Sequence, residues 1–114
     1  MKQNVSERLN NINNCFQQVK LAIDNKLGPE GYLIIDEKYS PEAFGSRYAT
    51  WSNNIDAVRL VWDGKDEWFY LYIAYNPPFD RIANWKELTY IPYLREHDLE
   101  YASSIPLKIV ASLI

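Results

Sequence analysis

Histidine occurs once, at His97 in the run Arg95-Glu96-His97-Asp98-Leu99-Glu100, and any imidazole chemistry in this chain must start there. With Glu96, Asp98 and Glu100 it offers ligand types suited to a divalent metal. Neighbours in sequence converge on one ion only where a loop folds them back, so a lone surface histidine among acids is the simpler reading. Cysteine also occurs once, at Cys15, which excludes an intrachain disulfide and a four-thiolate zinc centre. A Cys15–His97 nucleophile–base pair would need a thiol activated by its surroundings. Cys15 falls in mid-helix beside Phe16, away from any helix N-terminus, and is expected to be partly buried and inert. Carboxylates cluster at Asp36-Glu37, at Asp63 with Asp66-Glu67, and at Glu96-Asp98-Glu100. General acid–base work needs two of them at a defined separation in a cleft, one with a raised pKa. These sit instead at turns and on solvent faces. Residues 43–47, Ala-Phe-Gly-Ser-Arg, are neither a phosphate-cradling glycine loop nor a nucleophile elbow. The expectation is a chain without catalysis, metal or cofactor.

What remains is the chemistry of recognition. Aromatic residues make up 15% of the 114 residues, with nine Tyr and four Trp. A small core does not absorb that many, so some must lie at the surface. They concentrate in RLVWDGKDEWFYLYIAYNPP, residues 59–78. Whether that run is core or contact surface depends on the elements that position it.

The most regular of these elements comes first. Val5, Leu9, Ile12, Phe16, Val19, Ile23 and Leu27 recur at steps of three and four, which places them on one face of a helix over residues 4–27. Asn4 and Glu7 have capping-box spacing, and Gly28-Pro29 reads as the stop, with Gly28 taking the left-handed cap. A seven-residue spacing also permits a coiled coil, but about three heptads suit a helix packed on a sheet better. From Gly31 the period becomes strand-like. Strands are expected over 32–39, 45–52, 55–62 and 67–75, separated by Ser40-Pro41, Asn53-Asn54 and Asp63-Gly64, and stopped by Asn76-Pro77-Pro78. Short connections imply an antiparallel meander. Beyond it, Asp80 is placed to cap a short helix carrying Ile82, Trp85 and Leu88 or Thr89, ended before Pro92. The final SIPLKIVASLI fits a helix with Leu107, Val110, Ala111 and Ile114 on one face. It also fits a strand, since Leu107, Ile109, Ala111 and Leu113 alternate; Ser103 or Ser104 ahead of Ile105-Pro106 tips the reading to helix. The fold expected is α+β in one domain. Residues 1–28 form the N-terminal helix, 31–76 a meander of about four strands, and 79–114 a mainly helical C-terminal part.

Strand parity then sorts the aromatics. With a two- or four-residue loop at Asp63-Gly64, Val58, Leu60 and Trp62 share a face with Phe69, Leu71 and Ile73. That face is the core, covered by the stripe of the first helix. Arg59, Val61, Trp68, Tyr70 and Tyr72 take the other face, with Arg59 directly across from Trp68 in the two-residue register. Tyr48 and Thr50 join them if the loop at Asn53-Asn54 is even, whereas an odd loop exchanges Tyr48 for Arg47. Tyr, Trp and Arg are the residues that anchor interfaces. Tyr48, Arg59, Trp68, Tyr70 and Tyr72, rimmed by Asp63, Asp66 and Glu67, are therefore the candidate contact residues. Whether the C-terminal segments cover this face, the sequence leaves open.

FGSRY followed by IDAVRLVWDGKDEWFYL resembles small uncharacterised bacterial proteins that pair an N-terminal helix with a compact meander. Some of these are similar to immunity or antitoxin partners of bacterial toxins. The resemblance spans about residues 43–72 and carries over no functional residue. It implies an interaction protein and nothing finer; the acidity and surplus aromatics fit a small protein-interaction module, with a small-ligand-binding domain or a homodimer as the alternatives. Twelve Lys and Arg scattered among fifteen Asp and Glu, for a net charge of −3, speak against nucleic-acid binding. No apolar leader or membrane-length apolar run is present, so a cytoplasmic protein without membrane contact is expected. A protein partner or a second copy is the partner expected.

Overall fold

A computed structural model describes residues 5–76, 84–93 and 99–113, the side chains of 5–10 and of 99 and 100 excepted. Helix α1 spans Val5–Leu27. Five strands follow: β1 Leu33–Ser40, β2 Ser46–Ser52, β3 Asp56–Asp63, β4 Trp68–Tyr75 and β5 Trp85–Pro92. Helix α2, Leu99–Ala111, closes the chain. The strands pair antiparallel in sequence order, β1-β2-β3-β4-β5. The class is α+β, with an N-terminal helix on an antiparallel sheet, and the meander has one strand more than expected.

Both helices lie on the same face of that sheet. Ile12, Phe16, Val19, Ile23 and Leu27 of α1 meet Ala49, Trp51, Val58, Leu60, Trp62, Phe69 and Leu71, and Ile105 and Ile109 of α2 complete the cluster. The helical stripe and the strand parity are thus those of the sequence, with Ile73 partly buried at the margin. The side chain of Leu9 and the Asn4–Glu7 capping box fall outside the described residues.

The helix stop works differently from the expectation. After Leu27 the chain makes a 3₁₀ turn, Gly28–Glu30, and Gly31, not Gly28, takes the left-handed conformation (φ 86°), its N–H donating to Gly28 O at 3.0 Å. Pro29 has no N–H to continue the α-helical ladder, so the tighter turn absorbs the end and the reversal moves three residues on.

The hairpin turns explain the register. Asn53 Oδ1 accepts from the N–H of Ile55 (3.0 Å) and Asp56 (2.8 Å), closing a four-residue loop between the paired Ser52 and Ala57. At the next reversal Asp63 Oδ1 accepts from the N–H of Lys65 (3.0 Å) and Asp66 (3.1 Å). Glu67, at φ 59°, donates its N–H to Asp63 O. Asp63-Gly64 therefore opens a four-residue loop, Gly64–Glu67, and not a two-residue turn. Gly64 is required for closeness: a Cβ there would stand 1.9 Å from the carbonyl oxygen of Phe44. Both loops are even, so parity survives, but the pairing slides by four residues. Arg59 lies opposite Tyr72, and Trp68 lies opposite Asp63.

The C-terminal part departs most from the sequence reading. Residues 85–92 form β5 and not a helix; Asp80 and Ile82, the proposed cap and its neighbour, lie outside the described residues. Pairing with β4 wins over local helical spacing, because the exposed edge of β4 supplies a ladder for Thr89-Tyr90-Ile91, residues that already suit strands. Helix α2 begins at Leu99, ahead of the serines, and carries Pro106 internally. Its buried positions are Ile105 and Ile109, whereas Leu107 is 74% exposed. The apolar stripe is thus offset by two residues from the Leu107–Ala111 pair expected; Val110 of that face packs against the core, Ala111 is exposed, and Ile114 lies outside the described residues. Tyr101 Oη donates to Pro92 O at 2.5 Å, tying α2 to the end of β5. No helix among the described residues is long and apolar enough to cross a membrane.

Candidate functional site

With α1 and α2 on one face, the other face of the sheet is left without a covering layer among the described residues. It presents Tyr48 from β2, Arg59 and Val61 from β3, Trp68, Tyr70 and Tyr72 from β4, and Trp85, Glu87 and Tyr90 from β5, while Thr50 of β2 shares the face but is buried. Five-strand pairing brings these together from four strands that span more than forty residues of sequence.

The rings form an ordered stack. Trp68 lies parallel to Tyr90, centroids 4.8 Å apart at 19°, and stacks on Tyr70 at 6.2 Å; Tyr70 stacks on Tyr72 at 5.9 Å. Trp68, Tyr70 and Tyr72 are partly exposed and Tyr90 is half exposed. Beside the stack, the Arg59 guanidinium sits between two rings, 4.7 Å from the centre of Tyr48 and 4.5 Å from that of Trp85. Its Nε donates to Thr50 Oγ1 at 2.8 Å. Arg59 thus stacks on Tyr48 and Trp85, not on Trp68 as the two-residue turn implied, because the four-residue loop sets Trp68 opposite Asp63, at the turn end of the hairpin and four residues along from Arg59. Arg59, Val61, Tyr72 and Trp85 line a groove of about 210 Å³.

Carboxylates ring this surface. Tyr70 has its pKa raised by burial first, then by the charges of Asp63, Asp66 and Glu87 and by Tyr90. Tyr72 is raised by burial, then by Glu87, Tyr70 and Asp63. Tyr48 is raised by burial and by the hydrogen bond its hydroxyl donates to Asp36, with Arg59 opposing. All three phenols therefore stay neutral at physiological pH, and that of Tyr48 donates a hydrogen bond to Asp36.

Of the eight candidates from the sequence, Tyr48, Arg59, Trp68, Tyr70 and Tyr72 share this face, with Asp63 at its end. Asp66 and Glu67 belong to the loop beyond it. Sequence reasoning missed Trp85, Glu87 and Tyr90, which the helical reading of residues 80–91 had removed from the sheet. The signal for them was the β-forming Thr89-Tyr90-Ile91 immediately before Pro92.

Cys15 lies elsewhere, at a cleft of about 350 Å³ between α1 and α2 that Asn14, Gln18, Tyr93 and Ser103 also line. The thiol is 8% exposed, and burial pushes its pKa up to about 11. Little thiolate then exists at neutral pH, so labelling by a maleimide or disulfide reagent is expected to be slow and to accelerate only above pH 10. The same shift bears on stability. The raised folded-state pKa favours folding fully below pH 9, and that contribution, up to about 3 kcal/mol, is lost as pH rises from 9 through 11. In Cys15→Ala this part of the alkaline loss should disappear. Rapid labelling at pH 7 would instead identify an activated thiol. His97 lies outside the described residues, and among those described no three His, Cys, Asp or Glu side chains gather to hold a metal ion.

The chain matches no family model, no curated protein and no solved structure.

Proposed function

We propose that this chain is a small non-catalytic protein-binding module of the cytoplasm, that its contact surface is the open aromatic face of the sheet, and that its partner presents a basic surface. The observation that carries the reading is the Trp68–Tyr70–Tyr72–Tyr90 stack, left uncovered by both helices and bordered by Asp63, Asp66 and Glu87. A stacked array is already ordered before binding, so docking onto it costs little side-chain entropy. The π-faces and the carboxylates attract the same thing, a Lys or Arg side chain. The fold does not need these rings for its core, which lies on the other face. An immunity-type role, in which an acidic protein occupies the basic surface of a bacterial toxin, fits this chemistry and the resemblance of residues 43–72.

A small-ligand site at the Arg59–Trp85 groove is the weaker reading. At about 210 Å³ the groove falls below the ~300 Å³ at which ligand pockets begin, and is sized for one side chain of a partner.

The test is retrieval from an extract of the source cells, comparing immobilised wild type with a Tyr70→Lys variant. A basic protein held by wild type, released by salt and not held by the variant supports the reading. If both columns retain the same proteins, or neither retains any, the open face is not the binding surface.

A further inference from the structure

Strand β1 forms one edge of the sheet, and none of its eight residues is buried. Leu33, Ile35 and Tyr39 are more than half exposed, and Phe44 beyond the strand is 70% exposed. On one side β1 pairs with β2; on the other its backbone N–H and C=O groups meet no strand among the described residues. The ladder to β2 is irregular between Ile34 and Asp36, so the regular part of this edge runs over residues 36–40, and it is a template for another strand.

We infer that β1 pairs antiparallel with β1 of a second copy about a two-fold axis through Glu37, joining two sheets into one of ten strands. The charges select both the occupant and the register. An axis normal to the sheet keeps the helices of both copies on one side, so only registers that place residues of the same face opposite each other are allowed. Centred on Glu37, the pairing sets Asp36 against Lys38 of the second copy, and Lys38 against its Asp36, giving two complementary cross-strand pairs on the open face. Centring one residue earlier sets Asp36 against Asp36. Centring one residue later sets Lys38 against Lys38. Like charges directly opposite are destabilising, so the two neighbouring registers are excluded by the residues that complete the favoured one.

The axis itself is compatible with this arrangement. The two copies of Glu37 meet there, but each is ion-paired with Lys20 of its own α1, so the cluster is neutral. A single strand pair buries less than the ~1,200 Å² of stable interfaces, so the dimer is reversible and forms in the micromolar range. The Trp68 stack lies three strands away and stays free.

Sedimentation velocity on the full chain is the test. Wild type is expected to shift from monomer to dimer mass between low and high micromolar concentration. Lys38→Asp and Asp36→Lys should each weaken association at least tenfold, and the double reversal Asp36→Lys/Lys38→Asp should restore it. Circular dichroism checks the fold of each variant. Glu37→Cys reads the register without touching either charge of the pairs, so a charge reversal that unfolds does not end the test: mild oxidation should give a covalent dimer. A Trp68→Ala/Tyr70→Ala protein should dimerise as wild type does, which separates this surface from the open face. A chain that stays monomeric throughout, a folded double reversal that fails to recover, or a Glu37→Cys protein that does not cross-link overturns the inference.

Discussion

Replacing Leu71 by alanine is expected to remove roughly 2–5 kcal/mol of folding stability, whereas Gln17→Ala should cost less than about 0.5 kcal/mol. Leu71 sits in the middle of β4, between Leu60 of β3 and Thr89 of β5, with no exposed surface. Its truncation loses the transfer free energy of the removed carbons and opens a cavity that neighbours held by the sheet ladder cannot fill. Trp62 and Phe69, whose rings pack 4.8 Å apart, are already in mutual contact and are not free to collapse into the space. Gln17, on the outer face of α1, is exposed and leaves no void. In urea unfolding the Leu71→Ala midpoint should fall with little change in slope. A domain of this size has about 5–15 kcal/mol in total, so the variant loses a large share of its margin. Equal costs for the two substitutions would mean that the helices cover the other face of the sheet.

The double substitution Trp68→Ala/Tyr70→Ala should do the reverse, weakening partner association by more than about 2 kcal/mol, at least 30-fold, with a modest loss of stability. Each ring gains about 0.5–1.5 kcal/mol from stacking beyond its area, and both keep part of their surface in water. Their removal shortens a surface stack and empties no core position. Binding loses the two central rings of the array and the carboxylate-bordered patch they hold in shape. Association of the wild type should also weaken with added salt, because Asp63, Asp66 and Glu87 attract a basic partner through solvent. Denaturation and a binding isotherm on the same two proteins separate the effects. A double variant that unfolds like Leu71→Ala would assign these aromatics to a second core layer. The interaction surface would then have to be sought elsewhere.

Several features of this molecule are determined locally and can be read without a structure. The α1 stripe from Ile12 to Leu27 follows from 3.6-residue periodicity, and the buried set Val58, Leu60, Trp62, Phe69 and Leu71 follows from strand parity, which any even loop preserves. That Arg59, Trp68, Tyr70 and Tyr72 share one face follows from the same parity. Other features depend on energies that the local sequence does not contain. Loop length at Asp63 was decided by the side-chain cap on Lys65 and Asp66 and by the close approach of Gly64 to Phe44, and it moved Arg59 from Trp68 to Tyr48 and Trp85. Residues 85–92 became a strand because the edge of β4 offered a ladder, an interaction between residues 11 to 24 positions apart, from Ala74–Trp85 to Trp68–Pro92. That pairing added Trp85 and Tyr90 to the aromatic face. The side on which α2 packs was also decided by tertiary structure: it buries Ile105 and Ile109 with α1 in the core, since joining an existing apolar cluster removes more surface from water than capping a face of half-polar rings.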